Sequence, residues 1–270
     1  MFGKLLKAEW RSSRRTVGIL CAVVLIAGLL VGLMGAWMLR LSVSDTPVPE
    51  LLQVGFVLLV MAAVIVVPMA CAASVFYALY RFYRSRFTEE GYLTYTLPVN
   101  NHQLMLSSIL ASVLEILLVL LAAALAVVLC GGLTLSALPW EEVSEDFFAT
   151  VSRYAGAMGQ AILENLPDIL RGLGMMLLMA LSQLIVLMLA VTIGSIAAKK
   201  HPILMAFAVY YGINILRLIV GILVINGSSR ITGGLTMGTM DGTMDVISVI
   251  TILGGYFAMY YLTSRKLNLS

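Results

Sequence analysis

The sequence contains little charge for its length. Only 11% of its 270 residues are Asp, Glu, Lys or Arg, whereas about 25% of the residues in a typical soluble domain are charged. Hydrophobic residues make up 61% of the chain, and a water-soluble core cannot bury that much apolar surface. The composition therefore excludes an ordinary soluble domain, and nothing in it indicates a nucleic-acid partner.

Motifs for catalysis and metal binding are also missing from the sequence. The three cysteines lie inside apolar runs and lack the spacing of a zinc site or a CxxC motif. No G-x-x-x-x-G-K-[ST] phosphate loop is present, so we do not expect this chain to hydrolyse ATP. An intramembrane enzyme would need paired acids, an H-E-x-x-H or a G-x-S-x-G in an apolar segment, and the sequence has none of these. We therefore predict no catalytic residue, metal or cofactor in this chain.

What the sequence does contain is six long apolar segments. A bilayer core of about 30 Å needs about 20 apolar residues in an α-helix, because lipid cannot hydrogen-bond free backbone groups. The segments cover residues 17–39, 51–80, 104–130, 166–197, 203–226 and 244–263. The sequence thus predicts an all-α, polytopic membrane protein with six transmembrane helices in a single transmembrane domain, residues 1–270.

The basic residues are distributed unequally between the two sides of these spans. Twelve lie on one side: Lys4, Lys7, Arg11, Arg14, Arg15, Arg81, Arg84, Arg86, Lys199, Lys200, Arg265 and Lys266. Four lie on the other side: Arg40, Arg153, Arg171 and Arg230. Because Lys and Arg are retained on the cytoplasmic side of a membrane, the first set is predicted to face the cytosol. An even number of spans then places both termini there.

The N-terminal segment, residues 1–16, has the pattern of an amphipathic helix. Its apolar face is formed by Phe2, Leu5, Leu6 and Trp10, and its basic residues lie on another face. Such a helix is typical of the membrane interface, with its apolar face in the acyl boundary and its cations among anionic headgroups. We interpret it as an elbow helix that either anchors the first span or also contacts a cytosolic partner.

The extracytoplasmic segment, residues 131–165, is the longest connection on the outer side. Ser144 can cap a helix whose first turn holds Glu145 and Asp146. Apolar side chains then recur at helical spacing: Phe147, Val151, Tyr154, Met158 and Ile162. We predict an outer amphipathic helix between the third and fourth spans, which either packs on the rim of the bundle or binds a ligand.

The connection after the second span, residues 82–103, is rich in aromatic residues although it is predicted to face the cytosol. Six aromatic side chains lie in or beside it: Tyr80, Phe82, Tyr83, Phe87, Tyr92 and Tyr95. Aromatic residues and arginine are enriched at protein interfaces, and Gly91 and Pro98 bracket a compact element. This composition favours a docking site for another protein over a solvated turn.

The run F-Y-R-S-R-F-T-E-E-G-Y-L-T-Y-T-L-P-V, from Phe82 to Val99, resembles the first coupling loop of type 2 ABC-exporter permeases of the firmicute type. The basic amphipathic N-terminus, the six spans and the long outer segment are also similar to that family. One departure lies near the start of the third span, where relatives often have lysine and this chain has Ser107 and Ser108.

This resemblance implies a permease subunit that couples ATP hydrolysis by separate cytosolic ABC ATPase subunits to export of an amphipathic substrate, such as a peptide antibiotic or a lipid. ATP and Mg would bind to the ATPase. A second permease chain, identical or homologous, would complete the transporter in the bacterial cytoplasmic membrane. The residues implied to contact the ATPase are Phe87, Glu89, Glu90, Gly91, Tyr92 and Leu93. The alternative is a non-transporting sensor or immunity subunit that recruits an ATPase.

A few polar side chains lie inside the predicted spans: Glu115, Gln183, Tyr210, Asn214 and Arg217. A charged side chain at the bilayer centre costs about 2.5–3.5 kcal/mol on insertion scales, so these groups should face the bundle interior, a partner or water. Counting about 1.5 Å per residue places Glu115 and Arg217 at similar depths. The set is therefore either a polar path for a substrate or a structural pair between those two residues, unless Arg217 extends toward the outer interface.

Two smaller patterns have simple structural explanations. Gly28, Gly32 and Ala36 form a stripe of small residues on the first span, which predicts close packing against another helix. His102 lies beside two polar residues and has no metal-site neighbours, so we interpret it as a polar residue at the end of a loop.

Overall fold

In the part of the chain that it describes, the computed structural model has six long α-helices. In chain order they are α1 (Phe2–Val43), α2 (Glu50–Phe87), α3 (Asn101–Ser136), α4 (Leu166–Ala197), α5 (Pro202–Thr232) and α6 (Met237–Arg265). The structure describes residues 2–43, 49–88, 100–137, 152–153, 156–157, 159–161, 163–198, 200–232 and 237–265. All six helices are long and apolar enough to cross a membrane. This confirms the predicted all-α, multi-pass membrane fold.

Several helices extend beyond the predicted spans. α1 begins at Phe2, so the predicted N-terminal helix, residues 1–16, is continuous with the first span and is not a separate elbow. α2 continues to Phe87, so the first residues of the predicted loop, residues 82–103, form its last turns. Residues 4–17 and residues 78–87 contain no proline or glycine, so no helix-breaking residue ends either helix where the hydropathy falls.

The chain divides into two compact units. The α4–α6 unit consists of Met1–Leu5, Ala78–Ile109 and Leu166–Ser270, and it therefore includes the end of α2 and the beginning of α3. The α1–α3 unit consists of Leu6–Tyr77 and Leu110–Asn165.

Within the α1–α3 unit, small residues bring α1 into close contact with α3. A Cβ atom added at Gly28 would lie 2.7 Å from the Cβ atom of Ala126, and one at Gly32 would lie 3.0 Å from the backbone of α3. Both distances are shorter than ordinary carbon–carbon contacts. The predicted close packing is confirmed at these two positions. A third close approach lies at Gly35, where a Cβ atom would lie 2.9 Å from a side-chain methyl of α3. The third residue of the predicted stripe, Ala36, is half-buried.

Within the α4–α6 unit, α4 packs against both α5 and α6. Its buried residues lie in its second half, from Ser182 to Gly194. A Cβ atom at Gly194 would lie 2.7 Å from the backbone nitrogen of Ala206 on α5, and one at Gly255 of α6 would lie 2.7 Å from Ile185. The second half of α4 is therefore the centre of this unit.

The predicted outer amphipathic helix falls largely outside the described residues. Residues 152–153, 156–157, 159–161 and 163–164 are helical. The five apolar positions that predict its buried face are not among the residues that the structure describes. Its packing on the bundle rim, or its binding of a ligand, stays a prediction.

Candidate functional site

Arg86, in the last turn of α2, joins that helix to the beginning of α3. Its side chain is only 2% exposed. Nη2 donates one hydrogen bond to the carbonyl oxygen of Leu104 and another, over 3.1 Å, to the hydroxyl of Ser108. The guanidinium also lies 5.9 Å from the ring centre of Phe82, within the range of a cation–π contact. We call this group of four residues the α2–α3 junction.

Two buried serines line the α3 side of the α2–α3 junction. Ser108 accepts a hydrogen bond from Arg86. Ser107 is also buried and donates to the carbonyl of Leu104 over 2.9 Å. A lysine at position 108 would bring a second cation against a buried arginine, which is unfavourable without a counter-ion. A serine at position 108 instead gives the buried Arg86 a neutral hydrogen-bond acceptor.

Phe87 is the only residue of the implied ATPase-contact set that the structure describes. Its ring packs at 6.1 Å from Phe82, edge to face, and at 6.0 Å from Tyr83, stacked. It remains half-buried. The other five, residues 89–93, lie outside the described residues, and their contacts stay predictions.

The first turn of α3 also contacts the end of α6. The ring of His102 stacks on Tyr260, with ring centres 3.8 Å apart and planes at 11°. Its Nδ1 lies 3.0 Å from the hydroxyl of Tyr256, and the hydroxyl of Thr263 points at the sulfur of Met105 over 3.7 Å. The interpretation of His102 as a polar residue at a loop end missed these contacts. The only signal in the sequence is the i, i+4 spacing of the two tyrosines, which places them on one face of α6.

A second group of polar side chains lies between α4 and α5. Arg217 donates from Nη1 to Oε1 of Gln183 over 2.7 Å and from Nη2 to the hydroxyl of Ser182 over 3.2 Å. Nε2 of Gln183 lies 3.3 Å from the hydroxyl of Tyr210 and 3.4 Å from Oδ1 of Asn214. We call these five residues the polar cluster.

The polar cluster contains four of the five intramembrane residues that the sequence singles out. The fifth, Glu115, is fully buried on α3 and belongs to the α1–α3 unit. Its pairing with Arg217 stays a prediction. Sequence reasoning missed Ser182, because a serine in an apolar helix can hydrogen-bond its own backbone, as Ser182 does to Met179 over 2.8 Å.

Comparison of the chain with protein-family models, with curated proteins and with solved structures found no match.

The α2–α3 junction and the contacts of His102 together join the ends of α2, α3 and α6. Arg86 holds the end of α2 against α3, and His102 holds the beginning of α3 against the end of α6. Buried polar contacts hold a defined geometry, because an alternative arrangement leaves their partners unsatisfied. A force on the connection between Thr88 and Asn100 would therefore act on α2, α3 and α6 together.

Proposed function

We propose that this chain is the membrane-spanning permease subunit of a bacterial ABC exporter. In this function it couples ATP hydrolysis by a separate ATPase to the export of an amphipathic substrate. The observation that carries the proposal is the run from Phe82 to Val99, which resembles a coupling loop and begins within the α2–α3 junction. Six helices able to cross a membrane are compatible with it.

The geometry at the base of this loop supports a coupling role. A loop that passes on the movement of an ATPase needs a base that does not bend, because a flexible base would absorb the displacement. Arg86 supplies a buried, charge-assisted contact between the two helices that the loop connects. Phe87 is the last residue of α2, and Glu89 and Glu90 follow it in the sequence as groups that a cleft on the ATPase would bind.

The distribution of basic residues supports the orientation that this function needs. With twelve basic residues on one side and four on the other, the loop and both termini lie in the cytosol, where an ATPase can reach them. A second permease chain, identical or homologous, completes the exporter in the cytoplasmic membrane.

Co-expression with an ABC ATPase, sought among the genes adjacent to the one for this chain, tests the proposal. We expect the two proteins to co-purify in detergent. Replacing residues 89–93 by a Gly-Ser linker of equal length should abolish co-purification while the variant still reaches the membrane. Failure of the native chain to retain the ATPase would contradict the proposal.

The same preparation, reconstituted into vesicles, separates an exporter from a non-transporting subunit that only recruits an ATPase. An exporter moves an amphipathic substrate across the bilayer when ATP is supplied to the ATPase. A recruiting subunit binds the ATPase and moves nothing.

A further inference from the structure

The positive charge of Arg217 lies within a membrane-spanning helix, yet its hydrogen-bond partners are neutral. They are the amide oxygen of Gln183 and the hydroxyl of Ser182. Within the described part of the α4–α6 unit, no carboxylate forms an ion pair with this guanidinium. Charged side chains in a membrane are costly and as a rule pair with an opposite charge. Within the described residues of its own unit, the polar cluster therefore carries a net positive charge, which an anion would neutralise.

The polar cluster also has more unused hydrogen-bond donors than unused acceptors. Each amide oxygen already accepts a hydrogen bond, that of Gln183 from Arg217 and that of Asn214 from Gln183. Arg217 has five N–H donors and uses two of them. The hydroxyl of Tyr210 accepts from Gln183 and keeps its own hydrogen to donate. The surplus consists of donors, which a group with several acceptor oxygens would satisfy.

Several apolar side chains on the two helices that carry the polar cluster are exposed. Leu216 and Leu218, on either side of Arg217 in the chain, are 61% and 64% exposed, and Met176 on α4 is 67% exposed. Arg217 follows Pro202, the first residue of α5, by 15 positions, or about 22 Å along the helix axis. In a core of about 30 Å, that depth is near the far interface, within reach of lipid headgroups. A ligand with an acidic head and acyl chains fits both features.

We propose that the polar cluster binds the oxyanion headgroup of an acyl-chain amphiphile, such as the phosphate of a phospholipid, which enters sideways from the bilayer. Arg217 neutralises the charge, since its planar fork matches the oxygens of a phosphate or a carboxylate. Tyr210 donates one further hydrogen bond. The acyl chains lie along the exposed leucines of α5. This binding does not rest on coupling to an ATPase, because the coupling loop and the α2–α3 junction take no part in it.

Native mass spectrometry of the purified full chain, titrated with phosphatidylglycerol, counts individual bound lipids and gives their affinities. We expect one tightly bound lipid. Arg217→Gln should weaken its binding about tenfold, the effect of losing one charge-assisted hydrogen bond. Tyr210→Phe, which removes one donor, should weaken it about threefold. Arg171→Gln is the matched control, because it removes the same charge from an exposed position of α4, and it should leave the affinity unchanged.

Equal weakening by Arg217→Gln and Arg171→Gln would overturn the proposal, since it would show attraction to net charge alone. Addition of inorganic phosphate in large excess distinguishes the sources of the oxyanion. Displacement of the lipid by free phosphate would overturn the assignment to an amphiphile, and persistence of the bound lipid would support it. If Arg217→Gln does not fold, Arg217→Lys keeps the charge without the fork, and unchanged affinity in that variant would equally overturn the proposal.

Discussion

The guanidinium of Arg86 and the hydroxyl of Ser108 lie 3.1 Å apart and are both buried. One residue closes α2 and the other lies near the beginning of α3, so a single hydrogen bond spans the two ends of the intervening connection. The same guanidinium binds the backbone of α3 at Leu104. The connection therefore has a fixed base within the α4–α6 unit, whatever binds to its tip.

Removing Arg86 should destabilise the protein. Arg86→Ala leaves the Ser108 hydroxyl and the Leu104 carbonyl without this donor, and hydrogen bonds to charged groups contribute about 1.5–3 kcal/mol. We expect the apparent Tm of the detergent-purified chain to fall accordingly, with Arg86→Lys intermediate because it keeps the charge and loses the fork. Arg171→Ala, at an exposed position, serves as the control. An equal Tm for the two alanine variants would show that the contact contributes nothing.

The close approach of α4 and α5 at Gly194 predicts sensitivity to a single methyl group. A Cβ atom there would meet backbone atoms of α5 at 2.7 and 2.8 Å, and backbone cannot move aside as a side chain can. Gly194→Ala should destabilise by about 1–3 kcal/mol. Gly212→Ala, on α5, is the matched control because nothing lies within 4 Å of its added Cβ atom. It should be neutral or stabilising by up to about 1 kcal/mol. A thermal scan in one detergent compares the Tm values of both variants. An unchanged Tm for Gly194→Ala would contradict the close approach of α4 and α5.

The stacking of His102 on Tyr260 predicts different effects for two substitutions. His102→Ala removes both the ring contact and the hydrogen bond to Tyr256, which together contribute about 1.5–2.5 kcal/mol. His102→Phe keeps the ring and removes only the hydrogen bond, so we expect a loss of about 1 kcal/mol. Chemical denaturation of the reconstituted protein measures both. Identical losses would mean that the stacking has no energetic role.

The sequence predicts the six helices because hydropathy and length are local properties of each segment. It also predicts most of the polar cluster. Polar residues are rare in such spans, and Tyr210, Asn214 and Arg217 share one face of α5 by i, i+4 and i+3 spacing. Helix ends are less predictable: α2 continues past Tyr80 because Arg and aromatic residues are tolerated in a helix even where the apolar run stops.

The partners of Arg86 and His102 could not be predicted in the same way. Which serine accepts from Arg86, and which ring stacks on His102, depends on how α2, α3 and α6 are rotated against one another. That rotation is a tertiary property with no local signature. Small residues at helical spacing did indicate close packing of α1, yet hydropathy cannot distinguish Gly35 from Ala36 as the point of closest approach.

The proposed orientation predicts which introduced cysteines are accessible from outside the cell. In a background without the native cysteines, Arg153→Cys should react with a membrane-impermeant maleimide in intact cells. Lys200→Cys should react only after lysis. Both positions are exposed and both substitutions remove one basic residue, so the pair is matched. The reverse labelling pattern would show the opposite orientation in the membrane. The proposed coupling loop would then face away from the cytosol, and an ATPase could not reach it.

Stimulation of the ATPase by the reconstituted chain tests the central claim most directly. Glu89→Lys with Glu90→Lys reverses two adjacent charges in the proposed coupling loop, and Glu141→Lys with Glu142→Lys makes the same change in the outer segment. The account predicts that the first pair abolishes stimulation and that the second pair leaves it unchanged. Full stimulation by the Glu89 and Glu90 double variant would contradict it.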